Sequence, residues 1–282
     1  MLAPLTRKVK AKVIEWVRQS EEYEKLRNET SSNGVSIAQL ADYVKYFKSG
    51  VHLPSEKLQR RVVGGYFHDY VASGFRAFND IKRELTQHAP SFLDKNNECA
   101  FLDFGSGPGR VTMAVGQIMP HWKIWGCDID NEAIEFAKNE YAPLGLNFET
   151  VQANGENSFL DNQFNVVLAS SVFTHLSEEM QFIWLKELHR ITAPGAILLL
   201  SVENRKALSV LKEDQLNIVK EKGFYFLEGW LTEGLPDWYR TTIHTHDYIK
   251  REWSKYFEIL AITELGIMSH QDCIVCRKRE SL

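Results

Sequence analysis

The sequence predicts an α/β protein: a doubly wound parallel sheet with helices on both faces, a helical cap before it and an insertion ahead of its last two strands. Three observations carry that reading. From residue 98 the apolar runs "CAFLDF", "KIWGCDI", "LNFETVQA", "FNVVLAS" and "AILLLSV" alternate with stretches of helical periodicity. Uninterrupted apolar strands are those of a parallel sheet covered on both faces. The first run leads into a glycine-rich turn, "DFGSGPGR", and the first strand-to-helix turn of such a sheet is where a ligand meets it. A chain of 282 residues, 44% hydrophobic, is long enough for one full-sized core and a smaller appended unit.

Each part follows in order. Residues 1–97 carry helical signals and no strand pattern: Val9, Val13, Trp16 and Val17 recur at helical spacing, and Ser36 is placed to cap "SIAQLADYVKYF" before the breaker "SG". "SEKLQRRVVGG" and "GFRAFNDIKRELTQHAP" supply two further short helices, which completes the predicted cap. Residues 98–202 form the predicted core. In it "DNEAIEFAKNEY" starts on the N-cap Asp130, and "SEEMQFIWLKELHRI" starts on Ser177 and ends near Pro194 and Gly195. Residues 203–255, rich in aromatic residues and histidines, interrupt the pattern as a lid or acceptor pocket; residues 256–282 return to strands with "FEILAIT" and "DCIVCRK".

A net charge of −4 gives no overall attraction to a phosphate backbone, so nucleic acid is not an expected partner. The basic face of Arg7, Lys8, Lys10 and Lys12 reads as a solvated helix face rather than a membrane contact. No stretch approaches 18 uncharged apolar residues and the N-terminal segment has no signal-peptide run, so a soluble, cytoplasmic protein without stable membrane insertion is expected. Cys273 and Cys276 form a CxxC, but strand positions three apart face opposite ways, so reduced strand cysteines are expected rather than a zinc or redox site. No metal site is expected elsewhere.

The glycine turn narrows the ligand. Gly105 and Gly107 let the backbone approach it, and Gly109 opens a helix whose free N–H groups suit a polar group. A dinucleotide fingerprint, GxGxxG, requires a glycine three residues after Gly107, where Arg110 stands. Asp103, two residues before the first glycine, would repel a pyrophosphate and attract an ammonium group. S-Adenosylmethionine, with an α-amino group, a sulfonium and no phosphate, meets that demand.

With Asp103, Gly105, Gly107 and Gly109 in that order, the sequence resembles the class I S-adenosylmethionine-dependent methyltransferases. "ASSVFTHLSEEMQFIWLKELHRITAPGAILLLSV", "RRVVGGYFHDY" and "SHQDCIVCRK" resemble a bacterial branch that methylates small molecules or glycans. The resemblance implies a Rossmann-like methyltransferase fold with a seven-stranded, mostly parallel sheet, the strand "DCIVCRK" antiparallel beside "FEILAIT". It implies an enzyme that uses S-adenosylmethionine. Asp128 would accept from the ribose hydroxyls and Ile129 would pack on the adenine. Asn154 stands where the family places an acid at the adenine amino group, and an amide oxygen can accept that bond. Gly155, Ser170 and Tyr66 join the cofactor-binding candidates; Tyr66 and His68 lie where the cap would close over the methionine end, or serve as packing between cap and core.

A sulfonium methyl is already activated, so the protein's task is to place a deprotonated nucleophile. His175, just after "FNVVLAS", is the first candidate base, against the alternative that it only shapes the pocket. His244 and His246 follow it, against a helix-cap role around Thr245. Trp230, Trp238 and Trp253 are open candidates for an apolar acceptor pocket, whereas Trp184 falls in a helix pattern as core. The expected reaction is methyl transfer to a small-molecule or saccharide acceptor, oxygen favoured. The alternatives are an N- or C-methyltransferase and a non-catalytic binding or scaffold module. A nicotinamide oxidoreductase is disfavoured by Arg110, and amino-methylation of DNA by "ASSVFTH", which lacks an Asn/Asp-Pro-Pro-aromatic signature.

Overall fold

The computed structural model describes residues 46, 48–63, 70–203, 205–227, 236 and 239–279. The helices expected before residue 46, the basic face of Arg7 to Lys12, and Tyr66, His68, Trp230 and Trp238 lie outside the described residues.

Helices α1 (Glu56–Val63) and α2 (Tyr70–His88) precede the sheet. The core then runs β1 (Ala100–Phe104), α3 (Arg110–Ile118), β2 (Lys123–Asp128), α4 (Asn131–Tyr141), β3 (Asn147–Thr150), β4 (Phe164–Ala169), α5 (Glu178–Ile191) and β5 (Thr192–Val202). The insertion carries α6 (Glu213–Lys222), β6 (Phe224–Leu227), β7 (Thr241–His244) and α7 (His246–Glu252), ahead of β8 (Glu258–Ile267) and β9 (Gln271–Arg277).

The seven-stranded sheet has the order β3-β2-β1-β4-β5-β9-β8. Its first five strands are parallel, and β9 lies antiparallel between β5 and β8, as the resemblance implies. The chain winds outward from β1 to β3 and returns to β4 on the other side of β1, which puts the switch point beyond the ends of β1 and β4. The continuous apolar runs are divided by the pleat. Phe101, Val166, Leu168, Ile197 and Leu199 pack with α2, α3 and α4 on one face; Leu102, Val167, Leu198 and Leu200 pack with α5 and α7 on the other. Cys273 and Cys276 obey the same rule and sit on opposite faces, all four cysteines being buried and unpaired.

Both expected N-caps are formed. Asp130 accepts from Ala133 N at 3.2 Å and Ser177 from Met180 N at 3.4 Å. Two expected boundaries move. Helix α2 starts at Tyr70, four residues before its expected first residue, Gly74, because Tyr70 is buried and its hydroxyl donates to Pro108 O at 3.0 Å. Helix α5 ends at Ile191, as the stretch "SEEMQFIWLKELHRI" does, but β5 starts ahead of the expected run "AILLLSV": Thr192 Oγ1 donates to Leu188 O at 2.7 Å, and Thr192 itself begins β5 beside Phe164. Within the insertion, β6 and β7 pair into an antiparallel two-stranded sheet. Among the described residues no helix is long and apolar enough to cross a membrane.

Candidate active site

A cavity of about 380 Å³ opens at the switch point. The turn after β1 forms its floor. Gly105, Gly107 and Gly109 all take left-handed φ, at 78°, 53° and 86°, which an L side chain resists. Gly105 N and Ser106 N both donate to Cys127 O, at 2.8 and 2.9 Å, tying the turn to the end of β2. The three glycines nevertheless do different work. A Cβ on Gly105 would stand 2.3 Å from Val172 Cγ2, and one on Gly107 2.3 Å from Val62 Cγ1, so these two admit the β4 loop and α1. Gly109 lies off the cavity wall, caps α3, and would press a Cβ on Tyr141 and Phe148 at 3.0–3.1 Å. At residue 107, Val62 of α1 already occupies the space a Cβ would take.

Two carboxylates close the strand ends. Asp103 Oδ2 accepts from Thr112 N at 2.9 Å and Thr112 Oγ1 at 2.7 Å. Burial pushes its pKa up to about 6, against the pull of the Thr112 bonds and of Arg110. Asp128 Oδ2 accepts from Gly107 N at 2.7 Å and its Oδ1 from Asp130 N at 2.9 Å. Burial raises its pKa also, while the backbone donors lower it. Asp103 keeps Oδ1, and Asp128 keeps a lone pair on each oxygen, for a ligand. Ile129, Val151, Ala153, Phe104 and Trp184 supply apolar wall. Trp184 is thus both core, edge-on to Phe104 with centroids 4.6 Å apart, and cavity lining.

Helix α1 seals the side over the turn. Arg61 joins Asp130 at 2.6 Å and Glu132 at 2.9 Å, and Lys57 joins Glu132 at 3.0 Å. Arg60, Arg61 and Val62 all reach the wall. Nothing in the sequence pairs residue 61 with residue 130; only the fold does.

Ser170, Ser171, Val172 and His175 line the opposite side. His175 Nδ1 lies 2.8 Å from Arg240 O. A carbonyl only accepts, so Nδ1 carries the proton and Nε2 keeps a lone pair. The ring stacks on Tyr239 at 4.1 Å, and burial lowers its pKa to about 4.

The other two candidate histidines are not brought here. His244 is in the core among Phe224, Tyr248 and Trp253. Its Nε2 lies 2.9 Å from Gln181 Oε1, and burial lowers its pKa to about 3. His246 begins α7 with Nε2 2.9 Å from Asp272 Oδ2. Neither lines the cavity, and Thr245 between them caps α7 by accepting from Tyr248 N at 3.1 Å. Trp253 is fully buried core rather than pocket lining. Asn154 and Gly155 also fall off the wall: they form a turn in which Asn154 Oδ1 accepts from Glu156 N at 3.1 Å, and Ala153 faces the cavity instead. Sequence reasoning missed Arg61, Val62, Ser171, Glu203, Tyr239 and Gln271, all on this wall.

Residues 101–195 match the family model of a methyltransferase domain. Over those residues the chain is similar to methyltransferase domains. Among curated relatives, the probable cobalt-precorrin-6B C(15)-methyltransferase of Sulfurisphaera tokodaii is 28% identical over 140 residues, 46% of this chain and 71% of that one. Two solved structures share the fold. A methyltransferase from Methanosarcina mazei is 21% identical with TM-score 0.50, over 67% of this chain and 97% of that one. A glycopeptide N-methyltransferase complexed with sinefungin is 14% identical with TM-score 0.52, over 77% and 99%. The glycopeptide N-methyltransferase holds sinefungin, and the site here fits S-adenosylmethionine, the cofactor that the sequence resemblance implies. The cavity has the volume of a small-molecule site, acids rather than phosphate-binding cations end β1 and β2, and the bare turn lies between them.

Proposed function

We propose that the methyltransferase transfers the methyl group to a small-molecule or saccharide acceptor, with oxygen the favoured atom. One observation carries this reading: the cavity that holds Asp103, Gly105, Gly107 and Asp128 also holds the lone pair of His175 Nε2. When bound, S-adenosylmethionine supplies a methyl group already activated on a sulfonium. Asp128 holds the ribose diol with its remaining lone pairs, Asp103 attracts the α-amino group, and Ile129 and Val151 cover the adenine. Ser170 and Gly105 border the methionine end. Residues 98–202 serve as the cofactor-binding core, and the cap (1–97), the insertion (203–255) and the last strands (256–282) close the acceptor side.

His175 receives the hydrogen bond of the acceptor hydroxyl and takes its proton as the carbon–oxygen bond forms. A general base contributes about 10²–10⁴-fold, and orientation about 7–11 kcal/mol. The Arg240 carbonyl fixes the productive tautomer, with the lone pair on Nε2. Its low pKa keeps the ring neutral and makes it a weak base, which favours one second reading, a nitrogen acceptor that brings its own lone pair. The glycopeptide N-methyltransferase of similar fold supports keeping that reading. The four unpaired cysteines support a reducing, cytoplasmic setting.

Calorimetric titration with S-adenosylmethionine and its demethylated product, followed by incubation with labelled cofactor and cell extract, tests the proposal. Binding of both adenosyl ligands and label in small acceptors are expected. Heat from NAD but from neither adenosyl ligand would overturn it.

A further inference from the structure

Glu203 follows β5 directly and stands on the cavity wall. Its carboxylate is held by a buried relay drawn from three strand ends. Ser171, just after β4, takes a left-handed φ of 58° and donates its N–H to Ser201 Oγ at 2.7 Å. Ser201 Oγ in turn donates to Gln271 Oε1 at 2.7 Å, and Ser171 Oγ donates to the same oxygen at 3.0 Å. With its oxygen facing two hydroxyls, the Gln271 amide is fixed in one orientation. Its Nε2 then donates to Glu203 Oε1 at 3.2 Å. No described residue donates to Glu203 Oε2. The relay spans β4, β5 and β9, which are neighbours in the sheet, and it leaves a set carboxylate facing the cavity.

Among the described residues of the cavity wall, His175, Tyr239 and the arginines do not neutralise that charge. His175 is held neutral by burial, and burial pushes the Tyr239 phenol far up, so it is neutral as well. His270 faces Glu203 from the exposed rim and favours its ionised form, while Asp272 disfavours it. The arginines of the wall belong to α1 and α3 and are already bonded: Arg60 to Glu56, Arg61 to Asp130 and Glu132, and Arg110 to Ser73. An anionic acceptor would therefore meet repulsion at this end, and a cation would meet a prepared partner.

We propose that Glu203 binds the acceptor, its carboxylate set by Gln271 to hold a protonated amine, so that the acceptor is a small molecule or saccharide bearing an ammonium group. A protonated amine has no lone pair, so it anchors the acceptor and the methylated atom lies elsewhere on it, beside His175. Burial, which raises the Glu203 pKa, agrees with a carboxylate whose ionised form waits for a cationic partner. The inference rests on the small-acceptor reading above.

The test uses the full chain, labelled S-adenosylmethionine and cell extract, with the small labelled products separated by cation and anion exchange at neutral pH. Label in the cationic fraction is expected. Glu203→Gln should lower it about 10–100-fold through KM for that fraction, with cofactor affinity unchanged. Any label in neutral products should fall less, a change of preference that general damage to the fold would not produce. Gln271→Leu should give a smaller loss of the same kind, as fits a positioning residue. Label confined to anionic products, or equal losses in cationic and neutral products, overturns the assignment of Glu203 and leaves the small-acceptor reading standing. Cofactor binding without any small labelled product overturns that reading and this inference with it.

Discussion

Gly107→Ala separates two accounts of the glycine turn. Gly107 has φ 53°, and an added Cβ would stand 2.3 Å from Val62 Cγ1 but 3.7 Å from Val62 Cβ. The first distance is a hard overlap and the second an ordinary contact. Left-handed backbone at a residue with a Cβ costs about 1–2 kcal/mol, and forcing an extra methyl into filled space adds about 1–3 kcal/mol. Gly107→Ala should therefore destabilise the unliganded protein by about 2–5 kcal/mol, the sum of those two ranges. It should also weaken cofactor binding, since Gly107 N donates to Asp128 Oδ2 at 2.7 Å. Val62→Ala removes Cγ1 and leaves the tolerable contact. In the double variant the steric part should be recovered, a coupling of about 1–3 kcal/mol, while the backbone part persists. Denaturant unfolding of the four proteins without ligand, paired with titration of the demethylated cofactor, measures both. If the cofactor rather than α1 needed the space, Gly107→Ala would spare unliganded stability beyond its backbone cost and Val62→Ala would rescue nothing. Additive free energies across the cycle would refute the steric demand of α1 on Gly107.

Three further outcomes are expected. Asp128→Ala should raise the cofactor Kd about 10–150-fold, the worth of a charge-assisted bond of about 1.5–3 kcal/mol; an unchanged Kd in a folded variant removes Asp128 from the site. Asp103, with its pKa at about 6, is ionised at pH 7 and loses its charge below pH 6, so cofactor Kd should be level near pH 7 and then weaken toward about tenfold per unit below 6; a level Kd from pH 7 to 5, or the same fall in Asp103→Asn, contradicts the role. For a hydroxyl acceptor, His175→Ala should lower kcat about 10²–10⁴-fold at saturating cofactor, and because burial lowers the histidine's pKa to about 4, the parent rate should not fall on its account between pH 8 and 5; a loss under tenfold rejects His175 as the base.

The sheet was legible because its cause is local. The central runs β1, β4 and β5 are buried on both faces, and the caps Asp130 and Ser177 mark helix starts through bonds to residues three positions away. The start of β5 was not, because Thr192 pairs with Phe164, a partner 28 residues earlier in the chain. The hairpin of β6 and β7 was hidden for the same reason: each segment gains its ladder only from the other.

At the site the division is between residues on one turn and residues on several. Asp103, Gly105 and Gly107 are contiguous, and Asp128 ends the neighbouring strand, so spacing alone assembles them. His175 and His244 are both histidines near strand ends, the first the stronger candidate, and β4 delivers it to the cavity while β7, in the second sheet, delivers the other into the core. What distinguishes them is the partner of each ring: a backbone carbonyl that leaves Nε2 toward the cavity for His175, and the buried Gln181 amide for His244. Glu203, Gln271 and Ser171 had no signal at all, being separated by up to 100 residues between Ser171 and Gln271. Sheet order makes them neighbours, since β9 is placed against β5 by antiparallel pairing that puts Asp272 opposite Val202 and so carries Gln271 to the strand end beside Glu203. On the proposed assignments, acceptor recognition would be written in the return of the last strand, and cofactor recognition in the turn after the first.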